Sequence, residues 1–169
     1  VAPSASATFM AGNESKSKGP GTIIYSSRTH SQLKQVISEL KTTGYRPNMT
    51  ILGSREQLCV HDKISRLKGN TLNHACNAQS AKHACTFKNN LDSYMSNGSN
   101  GIGAMQDIED LARMGKRDRV CPYFFSREKS QSADLILLPY NYLMDGSFRS
   151  TLKVDWNDSV VIFDEAHNL

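Results

Sequence analysis

The chain has 169 residues, with 20 Lys or Arg against 16 Asp or Glu, so its formal net charge is +4 at pH 7. This length suits one ordinary domain, or one domain that carries an insertion, and it allows a sizeable core. No apolar run approaches the roughly 18 residues of a membrane span, so we expect no membrane partner. Because the first residue is Val1 and not Met, we expect a piece of a longer protein.

The excess positive charge and all the cysteines lie in the middle of the chain. Residues 54–130 contain 12 Lys or Arg and 8 Asp or Glu, whereas the rest of the chain contains 8 of each. A local positive field of this kind suits a polyanion such as a nucleic-acid backbone, although a solvated surface face is an equal alternative.

The first 53 residues predict a linker followed by a β-α-β unit. Residues 1–20 are rich in Ser, Ala, Gly and Lys without periodicity, which indicates a linker or disordered arm. Gly12–Ser17 contains a Lys-Ser pair but lacks the glycine spacing of a phosphate loop. Strands are predicted at Thr22–Ser26 and Met49–Leu52, and a helix between them ends at Gly44. Its apolar residues recur at helical spacing: Leu33, Val36, Ile37 and Leu40.

The turn before this helix carries Arg28, Thr29 and His30. Thr29 and Gln32 fit a capping box, which opens the helix. Free backbone N–H groups at a helix N-terminus favour a phosphate, and the Arg28 guanidinium can fork onto its oxygens. Capping alone explains Thr29 and Gln32, but it does not explain Arg28 or His30.

From Gly53 to about Ser130 the apolar periods are short and broken. A flexible loop is predicted at 96–103. Short helices are predicted at Asn73–Lys82, Thr86–Tyr94, Gln106–Met114 and Tyr123–Gln131. Such helices bury little apolar surface by themselves, so we expect a covalent or metal cross-link to hold them together.

The four cysteines are the candidates for that cross-link, and 16, 8 and 35 residues separate Cys59, Cys76, Cys85 and Cys121. Nothing indicates secretion, so a disulfide framework is the weaker interpretation. Four scattered thiolates suit a cubane iron–sulfur cluster. The nearby His61, His74 and His83 leave a zinc site equally open on spacing alone.

The last part of the chain returns to strands. Asp134–Pro139 is predicted to be a buried strand, followed by a turn at Tyr140–Tyr142 that either faces nucleic acid or packs as an aromatic turn. Val160–Phe163 predicts a parallel strand buried on both faces, which leads directly into Asp164 and Glu165.

The carboxyl ends of parallel strands line the ligand crevice of open α/β sheets, which places this acidic pair where chemistry is expected. Asp164 could hold Mg²⁺ through water, and Glu165 could deprotonate an attacking water. A plain acidic turn is the alternative interpretation.

Several motifs resemble those of the XPD group of iron–sulfur DEAH-box DNA helicases. Asp164-Glu165-Ala166-His167 matches motif II of superfamily 2 helicases, and Ser27-Arg28-Thr29-His30 matches motif Ia. The segments around Cys59, Cys121 and Leu138 follow the family order, and the likeness runs from about residue 21 to the end.

The resemblance implies a mixed α/β fold with two parts. Residues 21–53 and 131–169 would form part of a RecA-like parallel sheet, the first helicase motor domain. Residues 54–130 would form a small inserted helical domain that acts as a wedge. Its [4Fe–4S] cluster would be held by Cys59, Cys76, Cys85 and Cys121.

The same resemblance assigns roles to the candidate site residues. Asp164 would be the magnesium carboxylate, Glu165 the catalytic base, and His167 the link between the nucleotide and nucleic-acid sites. Arg28, Thr29 and His30 would grip the DNA backbone. Arg55, Arg117 and Arg119 would line the DNA path beside the cluster.

The implied function is ATP-dependent 5′ to 3′ unwinding of DNA at single strands and duplex junctions, in the nucleus. Within the family, the likeness is strongest to the branch that serves telomere maintenance, recombination control and DNA repair. Because this chain lacks a phosphate loop and a second motor domain, we expect the 169 residues alone not to hydrolyse ATP. The competing prediction is a zinc-stapled nucleic-acid-binding module without motor activity.

Overall fold

The computed structural model describes residues 21–98, 104–152, 154, 156 and 158–169. The predicted linker at 1–20 lies outside the described residues, and so do positions 99–103 of the predicted flexible loop. Among the helices that are described, none combines the length and apolar character that crossing a bilayer demands.

A parallel sheet forms the base of the described structure, with strand order β2-β3-β1-β4. Its strands are β1 (Ile23–Ser27), β2 (Met49–Ile51), β3 (Leu135–Pro139) and β4 (Val160–Phe163). Each lies within one residue of its predicted bounds, and the predicted mixed α/β fold with a parallel sheet is confirmed. The carboxyl ends of β1, β3 and β4 lie along the same side of the sheet, because all three strands run in the same direction.

The burial predicted for the last strand is wrong. The side chains of Val160–Phe163 are exposed, from 36% for Phe163 to 56% for Val160. The physical reason is that β4 is the edge strand of the described sheet, where it pairs with β1 alone. By contrast, Ile24, Ile136, Leu137 and Leu138 on the inner strands are fully buried.

The α-helices lie between the strands in the chain. They are α1 (His30–Thr42), α2 (Arg55–Leu58), α3 (Gly69–Ala81), α4 (Thr86–Asn89), α5 (Leu91–Ser96), α6 (Ile108–Asp118), α7 (Pro122–Lys129), α8 (Tyr140–Met144) and α9 (Gly146–Thr151). The capping box of Thr29 and Gln32 opens α1 as predicted, with Thr29 Oγ1 accepting from the Gln32 N–H.

Several helix predictions need correction. Tyr140–Tyr142 is not a turn but the start of α8, which Pro139 precedes as the N-cap. The helix predicted over Thr86–Tyr94 is interrupted at Asn90, which ends α4 and starts α5. The first helix ends at Thr42, two residues before Gly44. The pattern missed α2 and α9, which are too short to show a helical period.

Two apolar cores hold these elements. The smaller core lies on one face of the sheet, where Ile24, Ile136 and Leu138 pack with Tyr142 and Leu143 of α8. The larger core lies on the other face and runs continuously from the sheet into the helices between β2 and β3. Its members on α1 and the strands include Leu33, Ile37, Met49 and Leu137. Its members in the segment between β2 and β3, below called the insert, include Leu58, Phe87, Leu111, Val120 and Phe125. The helices of the insert therefore pack directly on α1 and the sheet.

Candidate functional site

All four cysteines line one cavity. It has a volume of about 320 Å³, counting the space open to solvent at its mouth. Cys85 and Cys121 are buried, Cys59 and Cys76 are half-buried, and none of them forms a disulfide. Apart from the thiols, the lining is largely apolar and comprises Val60, His61, Ile64, Phe87 and Phe124.

Four separate elements deliver these cysteines. Cys59 caps the C-terminus of α2, and Cys76 lies in the middle of α3. Cys85 and Cys121 are the N-cap residues of α4 and α7. The Cys121 N–H donates to the Phe87 carbonyl oxygen at 2.8 Å, which joins the last two segments through the backbone. Residues far apart in the sequence therefore meet around one space.

The thiols interact with one another electrostatically. Burial raises the pKa of the Cys121 thiol to about 12, and the charges of Cys85 and Cys76 add to the effect, while backbone N–H groups of Phe124 and Tyr123 oppose it. Burial also raises the pKa of the Cys59 thiol. The charges of Cys76 and Cys85 raise this pKa further, whereas the backbone N–H of His61 lowers it. A buried thiolate loses its hydration and needs positive groups nearby to stabilise its charge. Backbone N–H groups already supply part of this at Cys121 and Cys59.

The sequence left two metal sites open for these thiols. With Zn–S bonds of about 2.3 Å, tetrahedral zinc needs sulfurs about 3.8 Å apart. A cubane cluster binds each cysteine through its own iron, so its four ligands stand farther apart around a larger space. The four thiols line one apolar cavity, as either kind of site requires.

The acidic pair lies at the exposed edge of the sheet. The Asp164 N–H donates to the Ser26 carbonyl oxygen at 2.8 Å, which extends the pairing of β4 with β1 by one residue. Asp164 is half-buried, whereas Glu165 and His167 are exposed. The Glu165 Oε2 lies 3.2 Å from His167 Nδ1, so these two side chains form one contact. Glu165 has a φ of 52°, and such a left-handed backbone in a residue with a side chain is a feature that clusters at functional sites.

The three residues of the predicted phosphate-binding turn lie in two different surroundings. Arg28 and Thr29 are exposed beside the same sheet edge as Asp164. His30 is half-buried and lines a cleft with Lys34, Asp107 and Glu109, between α1 and α6. Burial lowers the pKa of His30, and its hydrogen bond to the Gln57 side chain opposes that shift. His30 therefore faces the insert, while Arg28 and Thr29 remain accessible to a ligand.

The arginines predicted beside the cluster also occupy different surroundings. The Arg117 guanidinium donates to Asp118 through Nε at 2.6 Å and Nη2 at 2.9 Å. Arg119 lies over the Phe87 ring at 5.2 Å, on the cluster side of the insert. Arg55 lies over the Tyr123 ring at 4.3 Å. Only Arg55 lines the groove described next.

A groove lies between the insert and α9. It encloses about 790 Å³, counting open solvent, and is lined by Arg55, Tyr123, Phe124, Arg127, Ser147, Phe148 and Thr151. Arg127 lies 3.7 Å from the centre of the Tyr123 ring, so one ring holds two guanidinium groups. None of the described residues that line it is a carboxylate, and aromatic rings beside cations suit single-stranded nucleic acid.

Sequence reasoning did not single out Arg127, Phe148 or the pairing of Arg55 with Tyr123. The position of Arg127 shortly after Cys121 can be read from the sequence. The other wall of the groove is α9, which the sequence pattern did not predict. Of the three aromatic residues after Cys121, Tyr123 and Phe125 are buried and Phe124 is partly exposed.

Comparison with known proteins places the chain in a family. The DEAD_2 family model matches residues 25–169. The regulator of telomere elongation helicase 1 homolog of Oryza sativa subsp. japonica is 49% identical over 159 residues, which are 94% of this chain and 16% of that protein. The human regulator of telomere elongation helicase 1 is 49% identical over 148 residues, 87% of this chain and 12% of that protein. The chain thus spans less than a fifth of the length of these relatives.

Two solved structures share the fold. One described as "XPD_Helicase" superimposes with a TM-score of 0.52 at 19% identity, covering 88% of this chain and 25% of that one. One described as "Truncated XPD" gives 0.56 at 20% identity, covering 88% and 41%. The resemblance to the XPD group is confirmed, and with its parallel sheet, its intervening helices and a family match over residues 25–169, the chain belongs to the DEAD_2 family.

Proposed function

We propose that this chain is the part of an ATP-dependent 5′ to 3′ DNA helicase that carries an iron–sulfur insert and the acidic motif of the first motor domain. The observation that carries the proposal is the convergence of Cys59, Cys76, Cys85 and Cys121 on one apolar cavity. The proposed division assigns 54–130 to the insert and 21–53 with 131–169 to the motor domain.

In this proposal the four cysteines hold a [4Fe–4S] cluster. The cluster supplies a rigid cross-link between helices α2, α3, α4 and α7. Phe87 and Phe124 shield the cavity from water, and the N–H groups of Tyr123 and Phe124 stabilise the Cys121 thiolate. A rigid insert beside the sheet is what a wedge at a duplex junction requires.

Asp164 and Glu165 serve ATP hydrolysis in the full-length protein. Asp164 holds hydrated Mg²⁺, because a carboxylate at a strand end offers the oxygen ligand that this ion prefers. Glu165 orients the attacking water and takes its proton. His167 contacts Glu165 at 3.2 Å, which supports its proposed role as the link between the base and the nucleic-acid site.

DNA binds at two places in this proposal. Arg28 and Thr29, exposed beside the acidic motif, contact phosphates at the N-terminus of α1. The groove takes a single strand, with Arg55 and Arg127 for phosphates and the rings of Phe124 and Phe148 for bases. Arg117, Arg119 and His30 stay predicted contacts.

The names of the relatives support one part of the proposed biological setting. Those at 49% identity are named regulators of telomere elongation, which supports a role in telomere maintenance. Recombination control, DNA repair and a nuclear location are proposed with it. The zinc-stapled binding module remains the rival function, and the relatives named as helicases favour the motor function over it.

Strand separation by the full-length protein tests the proposal. A duplex with a 5′ single-stranded tail should be unwound with ATP, and a duplex with only a 3′ tail should not. Glu165→Gln should abolish hydrolysis and unwinding while DNA binding persists. Residues 1–169 alone should bind DNA without hydrolysing ATP. Unwinding that survives Glu165→Gln, or turnover by 1–169 that Glu165→Gln abolishes, would contradict the proposal.

A further inference from the structure

Tyr25 and Asp164 lie on the same face of the sheet. Tyr25 of β1 pairs in parallel register with Ile162 of β4, and Asp164 follows Ile162 by two residues. Because side chains alternate across a strand, residues two apart point to the same side. The hydrogen bond from the Asp164 N–H to the Ser26 carbonyl oxygen, at 2.8 Å, keeps this register up to the acidic motif.

The two side chains meet in one cleft. It lies between the sheet edge and α1, has a volume of about 710 Å³ with its open mouth, and is lined by Tyr25, Gln32, Gln35, Val36, Glu39, Asp164 and Glu165. The Tyr25 hydroxyl interacts with the Asp164 carboxylate across this cleft. Tyr25 is half-buried, so its ring is fixed by the sheet and α1 while its hydroxyl reaches the cleft.

Among the described residues, the strand before Asp164 pairs with β1 alone, and its residues Val160–Phe163 are exposed. The next residue, Glu165, has a left-handed backbone with φ 52° and lines the same cleft. Tyr25 of the neighbouring strand β1 is the side chain that the parallel register brings beside the Asp164 carboxylate.

We propose that Tyr25 is a positioning residue for Asp164, which fixes the carboxylate so that it binds the hydrated Mg²⁺ of the nucleotide. This inference rests on the proposed function and adds a residue outside the acidic motif to it. An ionised carboxylate has about four lone-pair sites, so Asp164 can accept from Tyr25 and still bind a water of the ion. Partners of this kind orient ligands, and their loss typically lowers metal affinity or activity about 10- to 100-fold.

Direct measurement of ion binding separates positioning from packing. Mn²⁺ would replace Mg²⁺ in the full-length protein with a non-hydrolysable ATP analogue, and the signal of free Mn²⁺ in electron paramagnetic resonance would report affinity. Tyr25→Phe keeps the ring and removes the hydroxyl, and should weaken Mn²⁺ binding about 10-fold. Tyr94→Phe is the matched control, because its hydroxyl donates to an aspartate, Asp118, at 3.0 Å in the insert.

Asp164→Asn distinguishes failure of this inference from failure of the proposed function. If Asp164→Asn abolishes Mn²⁺ binding and Tyr25→Phe binds as the parent does, Tyr25 only packs and the inference is wrong. If Asp164→Asn itself leaves affinity unchanged, the assignment of Asp164 to the ion fails and the inference falls with it. A loss of affinity in Tyr25→Phe, absent in Tyr94→Phe, supports the inference.

Discussion

The backbone N–H of Cys121 donates a 2.8 Å hydrogen bond to the carbonyl oxygen of Phe87, two residues beyond Cys85. This hydrogen bond joins the segments that carry Cys85 and Cys121, which form two sides of the cysteine cavity. Cys59 and Cys76 reach the cavity from α2 and α3, whose side-chain contacts must hold the other two walls. Backbone hydrogen bonding and side-chain packing therefore fix part of the cavity, and the group that the thiols bind would fix the rest.

If the thiols hold the proposed cluster, its removal should loosen the insert and spare the inner sheet. Helices α2, α3, α4 and α7 would lose their common cross-link, whereas Ile24 of β1 and Ile136 and Leu138 of β3 stay in the smaller core, to which the insert contributes no residue. Amide hydrogen exchange should speed up within 54–130 after iron chelation, most strongly around Cys76. Protection in β1 and β3 should be retained, and equal loss across sheet and insert would contradict this division.

Gly115→Ala should destabilise the insert. A Cβ at Gly115 would lie 2.3 Å from Pro122 Cγ and 2.8 Å from the Val120 carbonyl oxygen, so the segment leading to Cys121 must shift. Overpacking of this kind costs about 1–3 kcal/mol, of which a gain of up to about 1 kcal/mol in helix propensity offsets part.

The matched control is Gly44→Ala, where an added Cβ meets no atom within 4 Å. Urea unfolding of the cluster-loaded chain should give a lower midpoint for Gly115→Ala and a change within about 0.5 kcal/mol for Gly44→Ala. Equal midpoints for the two variants would show that α6 and α7 do not pack as described.

Arg127→Ala should weaken binding of single-stranded DNA more than Arg117→Ala does. Arg127 lies in the groove on the Tyr123 ring, whereas the Arg117 charge is partly neutralised by Asp118. Each lost phosphate contact should lower the slope of log affinity against log salt by about 1. Both effects can be read from anisotropy titrations at several salt concentrations.

Arg46→Ala provides the control for these titrations, because Arg46 precedes β2 and donates to the carbonyl oxygens of Thr43 and Tyr45, away from the groove. Its salt slope should match that of the parent chain. If Arg117→Ala lowers the slope and Arg127→Ala does not, the DNA runs over the outer edge of α6 and not through the groove.

Asp118→Asn should cost stability at neutral pH and not in strong acid. Hydrogen bonds from Arg117, and a further one from the Tyr94 hydroxyl, lower the pKa of Asp118 below its ordinary value. A lowered folded-state pKa means that the stabilisation is present above the unfolded value near 3.8 and is lost as pH falls through the lowered value. Since Arg117 is largely exposed, the effect should be roughly 0.2–1 kcal/mol.

Urea midpoints of the parent and variant should therefore differ at pH 7 and converge at the acid end of the range in which the chain remains folded. The exposed Asp62→Asn serves as the control for removal of a surface carboxylate. A difference that persists unchanged as Asp118 is protonated would show that the amide itself, and not the lost charge, causes the effect.

The strands and the acidic motif could be predicted from the sequence because their signals are local. Ile24 and Leu137 belong to short β-branched or leucine-rich runs, and Thr29 and Gln32 are three residues apart, so their roles are readable within one element. The burial of Val160–Phe163 was misjudged because burial depends on which strand lies at the edge, and strand order is a property of the whole sheet.

Other features of the site could not be read from the sequence, because they depend on residues that meet only in the fold. His30 was grouped with Arg28 by proximity in sequence, yet the first turn of α1 points it towards Asp107 of the insert. Arg55 and Arg127 are 72 positions apart and meet only on the Tyr123 ring. That the four cysteines share one cavity agrees with their confinement to one segment, but their spacing alone did not separate cluster from zinc.

Metal analysis of the anaerobically purified protein tests the central claim most directly. If the four thiols hold a cubane cluster, the protein should be brown, absorb near roughly 400 nm, and contain about four irons and four sulfides per chain. Replacing Cys76 by Ser should remove most of the colour. A colourless protein with about one zinc per chain and no acid-labile sulfide would contradict the account.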